Sequence, residues 1–318
     1  MAAACEIIQE TFPDSTIAQL TAQNARPGNE TVYVEFTDRA PVYAKVDLDD
    51  MGRVRREIAA VRYAARHASV NVPEIVRANS DGALPFMITT PLAGTLMNNR
   101  WTVGADRAEL LRSVGATIGA THSAQHADCG VITGWRDDSL HVEEDSWTET
   151  LCATVRSRVA NEFSDRFTDI PDDLIDIIRA IDPTVDAQSV TLLHGDPSRI
   201  NIHVEPNGLL DWERALVGDP VLDIVETMFH HLGQPDVDES ERPALREALL
   251  TGYRTQCGAV PPQLDTYEPL YKAIAHLLVP QTFEKWAPDV DTPIDELEAN
   301  VREEAYARMA TAQAELVG

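Results

Sequence analysis

Lysine is scarce in this sequence, and basic residues as a whole are few. Only Lys45, Lys272 and Lys285 occur among 318 residues, so arginine supplies nearly all of the 26 basic side chains. Acidic residues number 52, which gives a formal net charge of −26 at pH 7. A surface with this charge repels nucleic-acid phosphates and anionic lipids. We therefore expect neither a nucleic-acid partner nor a membrane partner.

The same composition bears on the source of the protein. Abundant acids with few lysines are typical of proteins from a salt-loaded cytoplasm. Salt at about 1 M shortens the Debye length to about 3 Å, which screens the repulsion between like charges. The composition therefore predicts a halophilic protein, and we expect an archaeal source.

Membrane-spanning runs, a secretory signal and paired cysteines are also lacking. The chain has no run of about 18 uncharged apolar residues, and its N-terminus lacks the basic-then-apolar order of a signal peptide. The four cysteines are widely spaced and form no Cys-x-x-Cys pair, which indicates neither structural zinc nor a disulfide framework. These features predict a cytoplasmic protein with reduced thiols. With 44% hydrophobic residues, the chain can bury a large core.

Polar residues with chemical potential concentrate between positions 194 and 211. An apolar strand leads into His194-Gly195-Asp196, Asn201 follows five residues after Asp196, and Asp211 comes ten residues later. An Asp and an Asn five residues apart are common in any chain of this length, so this pair alone favours a structural explanation. The complete series, with the strand before it and the Asp-Trp pair after it, favours a phosphoryl-transfer site.

The segment between Asn201 and Asp211 predicts a short hairpin, with Asn207-Gly208 as its tight turn. Because a hairpin brings its two ends together, Asn201 and Asp211 are expected to be neighbours. Two oxygen ligands side by side suit a magnesium ion that keeps its other positions for phosphate and water. Asp196 would lie just beyond the ion, where it could accept or orient a hydroxyl proton.

This segment resembles the catalytic loop of the aminoglycoside phosphotransferase family, which has a protein-kinase-like fold and reads His-Gly-Asp, four residues, Asn, and later Asp-Trp or Asp-Phe. The resemblance implies that Asp196 is the catalytic base and that Asn201 and Asp211 bind Mg²⁺. It also implies ATP or GTP as the phosphate donor and a hydroxyl group of a small molecule as the acceptor. A second segment, from Val217 to Asp223, is similar to the family's Gly-Asp-Pro stretch, which buttresses this loop.

Four residues near the predicted site receive more modest roles. His194 is expected to hold the loop by hydrogen bonds, and His122 to pack or cap at the end of a helix. Ser198 stands where protein kinases commonly carry a lysine, and no Ala-Pro-Glu ending of an activation segment is evident, so a protein acceptor is disfavoured. Arg199 either supplies the missing positive charge or faces solvent.

Lys45 is the candidate for binding nucleotide phosphates. It ends an apolar-alternating strand and precedes a helix that is predicted from about Asp50 to His67. Glu57 borders the apolar stripe of that helix and would need a cationic partner. In the family, a strand lysine and a helix glutamate form such an ion pair and hold the α and β phosphates. The alternative is a solvent-facing pair of Glu57 with Arg53 or Arg56.

Two further segments match the family's nucleotide site. Gly28 to Thr31 occupies the position of the loop that covers the nucleotide, but it contains a single glycine. Its backbone N–H groups either contact phosphate or simply open a hairpin. The segment from Leu84 to Gly94 is similar to the family's strand and hinge. This similarity makes Thr90 and Leu92 the candidates for backbone contacts with adenine.

The predicted architecture is an α+β, two-lobed, protein-kinase-like fold. Residues 1–91 form a small β-rich lobe that binds nucleotide, and residues 92–318 form a larger, mostly helical lobe for catalysis and acceptor binding. A first helix is expected near Thr16 to Gln23 and a long one from about Ala105 to Gln125. The last helix is expected to start at Thr292-Pro293, a cap followed by a first-turn proline.

The acceptor is the least determined part of the interpretation. The family's acceptor cleft corresponds to residues 137–163 and 233–291. Acidic residues in these segments could bind a polyamine-like acceptor, although a solvated surface explains them better in so acidic a chain. They are Glu143, Glu144, Asp145, Asp236, Asp238 and Glu239. A catalytically silent regulator that only binds nucleotide is the alternative function, and the complete set of site residues argues against it.

Overall fold

The computed structural model describes residues 2–26, 28–49, 52–103, 106–160, 163–185 and 189–317, without the side chains of residues 24–26 and 144. The helix starts predicted at Asp50 and Ala105, and the side chain of Glu144, lie outside this part of the chain. Within it, no helix is long and apolar enough to cross a membrane.

The N-terminal part is built on a five-stranded antiparallel sheet in the order β1-β2-β3-β5-β4. Its strands are β1 (Ile17–Arg26), β2 (Asn29–Phe36), β3 (Val42–Asp47), β4 (Ile75–Asn79) and β5 (Phe86–Thr89). Alternate residues of the central strands bury their side chains beneath helix α1 (Ala2–Thr11). Helix α2 (Arg53–His67) covers the opposite face with Val54 and Ile58 against Met87. Lys45 therefore lies on a strand that is packed on both sides.

The predicted helix from Thr16 to Gln23 is wrong, because Ile17 to Gln23 belong to β1. Its backbone pairs with β2 along the whole hairpin, from Ile17 opposite Phe36 to Arg26 opposite Asn29. The ladder outweighs the helix propensity of the Ala, Gln and Leu residues in this segment, which is a weak local preference. The N-terminal helix instead spans Ala2–Thr11, where it buries Ala4 and Ile8.

The C-terminal part is mostly helical but also contains two small sheets. Its helices are α3 (Met97–Thr102), α4 (Arg107–Thr121), α5 (Trp147–Val159), α6 (Ile170–Ile181), α7 (Pro220–Leu232), α8 (Arg242–Cys257), α9 (Leu264–His276), α10 (Leu278–Gln281), α11 (Phe283–Trp286) and α12 (Ile294–Leu316). One sheet has the order β11-β10-β6, with β6 (Thr95–Leu96), β10 (Ile202–Val204) and β11 (Gly208–Leu209). The other has the order β8-β7-β12-β9, with β7 (Gly130–Arg136), β8 (Ser139–Glu144), β9 (Thr191–Leu193) and β12 (Leu216–Gly218).

The close crossing of α4 and α8 forms much of the helical core. A Cβ atom on Gly115 would lie 1.9 Å from the Leu249 carbonyl oxygen, and one on Gly252 would lie 1.9 Å from that of Arg112. Glycine at both positions lets the two helix backbones touch. This contact fixes the end of α4, where the buried His122 caps the helix and its Nδ1 lies 3.0 Å from the Tyr253 hydroxyl. The predicted packing or capping role of His122 is confirmed.

Candidate active site

A sharp backbone turn places Asp196 between β9 and β10. Gly195 has a φ angle of 76°, and a Cβ atom there would lie 2.3 Å from the Arg214 carbonyl oxygen. A side chain at position 195 would therefore be strained by its backbone angle and would also collide with the neighbouring backbone. The glycine sets the direction in which the next residue leaves the strand.

Hydrogen bonds from buried groups hold this loop in place. The carboxylate of Asp223, on α7, accepts from the backbone N–H groups of His194 at 2.6 Å and of Gly195 at 2.9 Å. His194 is completely buried, and its Nε2 donates to the Leu210 carbonyl at 2.8 Å while Nδ1 accepts from the Asp196 N–H at 3.3 Å. Asp223 thus buttresses the loop, and the predicted structural role of His194 is confirmed.

The Asp196 side chain remains partly open to the cleft, with 20% of its surface exposed. Burial raises the pKa of its carboxyl, but electrostatic interactions with His230, Arg214 and His194 outweigh burial and hold the pKa below its usual value. His230 Nε2 lies 3.4 Å from Asp196 Oδ1, and burial lowers the pKa of His230 to about 4. At neutral pH, Asp196 is therefore an ionised acceptor beside a neutral imidazole, and it can bind a hydroxyl hydrogen.

Asn201 is fixed by its own backbone and amide nitrogen. Its Nδ2 donates to the Asp196 carbonyl at 3.0 Å, and its carbonyl accepts from the Leu210 N–H at 2.8 Å. Because the Asp196 carbonyl can only accept a hydrogen bond, the side-chain atom that faces it must be the amide nitrogen. The amide oxygen of Asn201 therefore points away from that carbonyl. Asn201 therefore offers an oxygen donor of the kind that magnesium binds.

The hairpin after Asn201 is present, with Ile202 paired to Leu209, and it returns the chain to Asp211. Its turn differs from the prediction. The positive φ angle falls on Glu205, which precedes a cis peptide bond to Pro206, and not on the Asn207-Gly208 pair. The Asn-Gly pair suits a two-residue turn, but here the connecting loop between the strands starts earlier and includes the proline.

Lys45 lies at the centre of three carboxylates. Its Nζ atom is 2.7 Å from Glu57 Oε2, 2.6 Å from Asp211 Oδ1 and 3.1 Å from Glu213 Oε2. The predicted ion pair with Glu57 is present. The alternative pairings are not formed: Arg53 contacts Asp49 at 3.4 Å, and Arg56 donates to the Glu213 carbonyl at 3.1 Å. The structure thus brings together residues from β3, α2 and the segment after β11.

The electrostatics of this cluster leave an excess of negative charge. Burial lowers the pKa of Lys45, but the three carboxylates outweigh it and raise that pKa well above its usual value. Burial raises the pKa of Glu57 to about 7, against the opposing effect of Lys45. A single ammonium therefore lies among three carboxylates, and a bound cation would offset part of their negative charge.

Sequence reasoning missed Glu213, which completes this cluster. Asp211 adopts a left-handed conformation with a φ angle of 61°, and the 3₁₀ turn Trp212–Arg214 follows it directly. That turn buries Trp212 and directs Glu213 back to Lys45. The only signal in the sequence was a second acid two residues after Asp211.

The donor set fits a magnesium ion that also binds phosphate. Asp211 and Asn201 supply a carboxylate and an amide oxygen, which are hard ligands for this ion. Among the described residues, no group of three His, Cys, Asp or Glu side chains forms a metal site by itself. An ion held by Asn201 and Asp211 would thus need nucleotide phosphates and water to complete its coordination.

The remaining nucleotide candidates lie between β1 and β2 and in the segment after β5. Gly28 forms the tip of the β1–β2 hairpin with a φ angle of 78°, and a Cβ atom there would lie 1.8 Å from Asp49 Oδ2. The N–H of Thr90, after β5, donates to the Glu74 carbonyl at 3.0 Å, so an adenine contact at this residue would use its carbonyl. The Leu92 side chain lies against Gly208. Nucleotide binding by Gly28, Thr90 and Leu92 stays a prediction.

A cleft of ≈ 710 Å³ opens beside Asp196. Its walls include Glu213 and Arg214, residues 153–160 on and just after α5, α7, and residues 278–285 on α10 and α11. The two helical segments fall within the regions predicted to bind the acceptor. The cleft therefore lies where an acceptor hydroxyl could reach Asp196.

The acidic residues considered as acceptor ligands are mostly elsewhere. Of those that the structure describes, Glu143 alone lines the cleft. Asp236 accepts from the Trp101 indole at 2.7 Å and pairs with Arg199 at 2.8 Å. Arg199 also stacks 3.9 Å from the Trp101 ring, so neither alternative for this arginine is realised. It joins α3 to the loop after α7.

Comparisons with known proteins show the family and the fold. A family model described as the phosphotransferase enzyme family (APH) matches residues 25–267. Macrolide 2'-phosphotransferase MphH from Brachybacterium faecium has a similar structure, with 16% identity, a TM-score of 0.55 and 97% of each chain covered. Amicoumacin kinase hAmiN, in complex with AMP-PNP, Ca²⁺ and Ami, has 14% identity and a TM-score of 0.64, with 94% of this chain and 92% of the other covered.

A third similar structure is APH(2'')-IIIa in complex with GDP and kanamycin, with 13% identity, a TM-score of 0.58, and 98% of this chain and 99% of the other covered. A search of curated protein sequences found no match. At these identities the structural similarity shows the fold, and the predicted two-lobed kinase-like architecture is confirmed.

Proposed function

Because the chain belongs to the phosphotransferase enzyme family, we propose that it transfers the γ-phosphate of ATP or GTP to a hydroxyl group of a small molecule. The observation that supports this most is the position of Asp196, an ionised carboxylate on a rigid loop at the wall of an open cleft. The nucleotide complexes of two structural neighbours, with AMP-PNP and with GDP, support the choice of donor.

Asp196 would orient the attacking hydroxyl group. Phosphoryl transfer depends mainly on placing the nucleophile in line with the phosphorus and stabilising the charge, and less on early removal of the proton. A carboxyl with a lowered pKa is a weak base but a good hydrogen-bond acceptor. Asp196 therefore aligns the hydroxyl oxygen and receives its proton late in the transfer.

Lys45 would hold the nucleotide phosphates. Glu57 and Glu213 fix the ammonium from two sides, while Asp211 contacts it from the segment after β11. Asn201 and Asp211 would bind Mg²⁺, which supplies positive charge to the transferring phosphoryl group when bound. With Asp211 engaged by the ion, Lys45 can contact phosphate and keep its pairs with Glu57 and Glu213.

A screen of nucleotide consumption tests this function. Purified protein in molar KCl would be given Mg-ATP or Mg-GTP with a panel of small alcohols, and release of ADP or GDP would be followed. We expect acceptor-dependent release that falls by about 10²–10⁴ in Asp196→Asn, because the hydroxyl loses its orienting carboxylate. Asp211→Ala should need far more Mg²⁺ than the wild type.

Asp238→Asn is the matched control, because it removes an exposed acid on the loop after α7 that does not line the cleft. This variant should retain wild-type rates. Acceptor-dependent release that survives both site substitutions would contradict the site assignment. Nucleotide binding without turnover of any acceptor would instead support the silent regulator.

A further inference from the structure

The charge of the cleft differs from that of the molecule. Five basic and five acidic side chains line it, whereas acids outnumber bases 52 to 26 in the whole chain. If the cleft had the average composition of the chain, acidic side chains would outnumber basic side chains in it. The enrichment in basic groups therefore calls for a local explanation.

Most of the acidic side chains in the cleft are already neutralised by neighbours. Glu213 lies 3.1 Å from Lys45, and Asp49 lies 3.4 Å from Arg53. Glu226, on α7, is buried against Arg158, and burial raises its pKa to about 7. These carboxylates have little capacity left for the ammonium groups of an acceptor.

Arg214 is different from the other basic groups of the cleft. Its side chain lines the same cavity as Asp196, and its charge acts on the Asp196 carboxyl. Within the described part of the chain, its guanidinium makes no hydrogen bond and no ion pair within 4.0 Å. By contrast, Arg158 donates to the Ile274 carbonyl at 2.9 Å, and Arg56 donates to that of Glu213 at 3.1 Å.

A guanidinium without a partner beside a catalytic carboxylate is suited to an anion. Its planar fork binds carboxylate or phosphate through two parallel hydrogen bonds. The triphosphate already has Lys45 and a metal site on the side of the cleft formed by β3 and α2. The anion that Arg214 would bind therefore belongs to the other substrate.

We propose that the acceptor is a hydroxylated anion, with a carboxylate or phosphate group that Arg214 binds while a hydroxyl group of the same molecule lies on Asp196. The proposal rests on the phosphotransferase function above. It excludes a polyamine-like acceptor, for which Glu143 at the exposed edge would be the remaining acidic contact besides Asp196 among the described lining residues.

Four probes that share one six-carbon polyol chain test the charge preference: glucitol, gluconate, glucitol 6-phosphate and N-methylglucamine. Each would be titrated into protein saturated with AMP-PNP and Mg²⁺ at one fixed KCl concentration. At least one anionic probe should bind about tenfold more tightly than glucitol, because hydrogen bonds between charged groups are the stronger ones. N-methylglucamine should bind most weakly. Comparison of gluconate with glucitol 6-phosphate identifies the anion.

Arg214→Gln should reduce the affinity for the anionic probe about tenfold and leave that for glucitol within about twofold. Arg112→Gln, which removes an exposed arginine on α4 outside the cleft, is the matched control and should change neither. Tighter binding of glucitol or N-methylglucamine than of either anion would overturn the proposal. So would a complete lack of binding by all four.

The outcome for AMP-PNP separates this proposal from the proposed function. If Arg214→Gln weakens AMP-PNP as much as it weakens the anionic probe, the arginine serves the nucleotide and the acceptor proposal is wrong, while the phosphotransferase site remains. If wild-type protein does not bind AMP-PNP with Mg²⁺ at all, the proposed function itself is wrong.

Discussion

Lys45 illustrates how strongly one residue can determine the charge balance of a site. Its side chain is 12% exposed, and its ammonium is the cation that Glu57, Asp211 and Glu213 share. Removing one partner of a buried ion pair leaves an uncompensated charge, which is more costly than the pair is stabilising. The stability of the region should therefore depend on this lysine even without nucleotide.

We expect Lys45→Met to lower the free energy of unfolding by about 3 kcal/mol, since three carboxylates then face one another without a cation. Adding Glu213→Gln to this variant should restore part of the loss, because it removes one of the repelling charges. Urea unfolding measures both. Lys272→Met is the control: that lysine is 48% exposed, and its pair with Glu268 should contribute less than about 1 kcal/mol. Equal losses at positions 45 and 272 would contradict the charge balance described here.

His276, near the end of α9, provides a pH-dependent test of burial. Burial lowers the pKa of this imidazole to about 4, below the ordinary value of 6.5. Since the unfolded chain then binds the extra proton between pH 6.5 and 4, this histidine makes the fold less stable as the pH falls through that range. The effect has a limit of about 1.4 kcal/mol per pH unit for one proton.

His276→Gln should therefore lose less stability than the wild type when the pH is lowered from 7 to 5.5. Over that interval, the wild type should lose about 1 kcal/mol more of its unfolding free energy than the variant. Both proteins share all other titrating groups, including Glu57 and Glu226, so the difference isolates His276. Parallel curves would show that this imidazole titrates normally in the fold.

Among individual residues, the sequence predicted the loop from His194 to Asp211 better than its surroundings. Asp196, Asn201 and Asp211 were predicted because their chemistry requires certain residue types at fixed spacings. Glu213 and Arg214 were not, since their directions depend on the left-handed conformation of Asp211 and the 3₁₀ turn after it. Neither feature has a periodicity that a sequence reveals.

Elements differ in how far local sequence determines them. Helix α2 ends at His67 as predicted, because a strong apolar pattern matches its buried face. Helix α12 begins at Ile294, with Pro293 at its N-cap, one residue later than predicted. The strand β1 was predicted as a helix because the local sequence does not reveal its pairing with β2.

The sheet formed by β7 and β8 was not predicted within the helical lobe. Its turn uses Asp137 and Asp138 with φ angles of 48° and 65°, and β7 then pairs with β12. Two aspartates tolerate such angles, but they are also common in ordinary surface loops. The division of the chain at residues 91 and 92 falls between β5 and β6 and stays a prediction.

The turn before Asp196 is the element on which the site most depends. Gly195→Ala should be strongly destabilising, because the new Cβ would meet backbone at 2.3 Å in addition to the strain of a φ angle of 76°. Gly258→Ala is the matched control, because it has the same φ angle and its new methyl group would have no neighbouring atom within 4 Å. The control should lose about 1–2 kcal/mol from backbone strain alone.

Urea unfolding and phosphoryl-transfer rates together test this prediction. Gly195→Ala should lose clearly more stability than the control and should also lose activity, because Asp196 moves. Similar losses of stability in both variants, with activity retained at position 195, would show that the contact with Arg214 does not determine the loop.

The charge of the whole molecule predicts a dependence on salt. A net charge of −26 disfavours the compact state through self-repulsion, which ions screen. We expect the Tm to rise by more than about 10 °C between 0.1 and 2 M KCl, followed by circular dichroism at pH 7. A flat or falling Tm would contradict the proposed halophilic origin, although the assignment of the site would stand.

The proposed function requires Asp196 for the transfer of phosphate to a hydroxyl group that reaches the cleft. The most direct measurement is ³¹P NMR of Mg-ATP or Mg-GTP incubated with protein and an acceptor, together with a nucleotide binding titration of the same samples. We expect a new phosphomonoester signal for the wild type and none over the same period for Asp196→Asn, with equal nucleotide affinity in both proteins. Equal phosphomonoester formation by the two proteins would contradict this expectation.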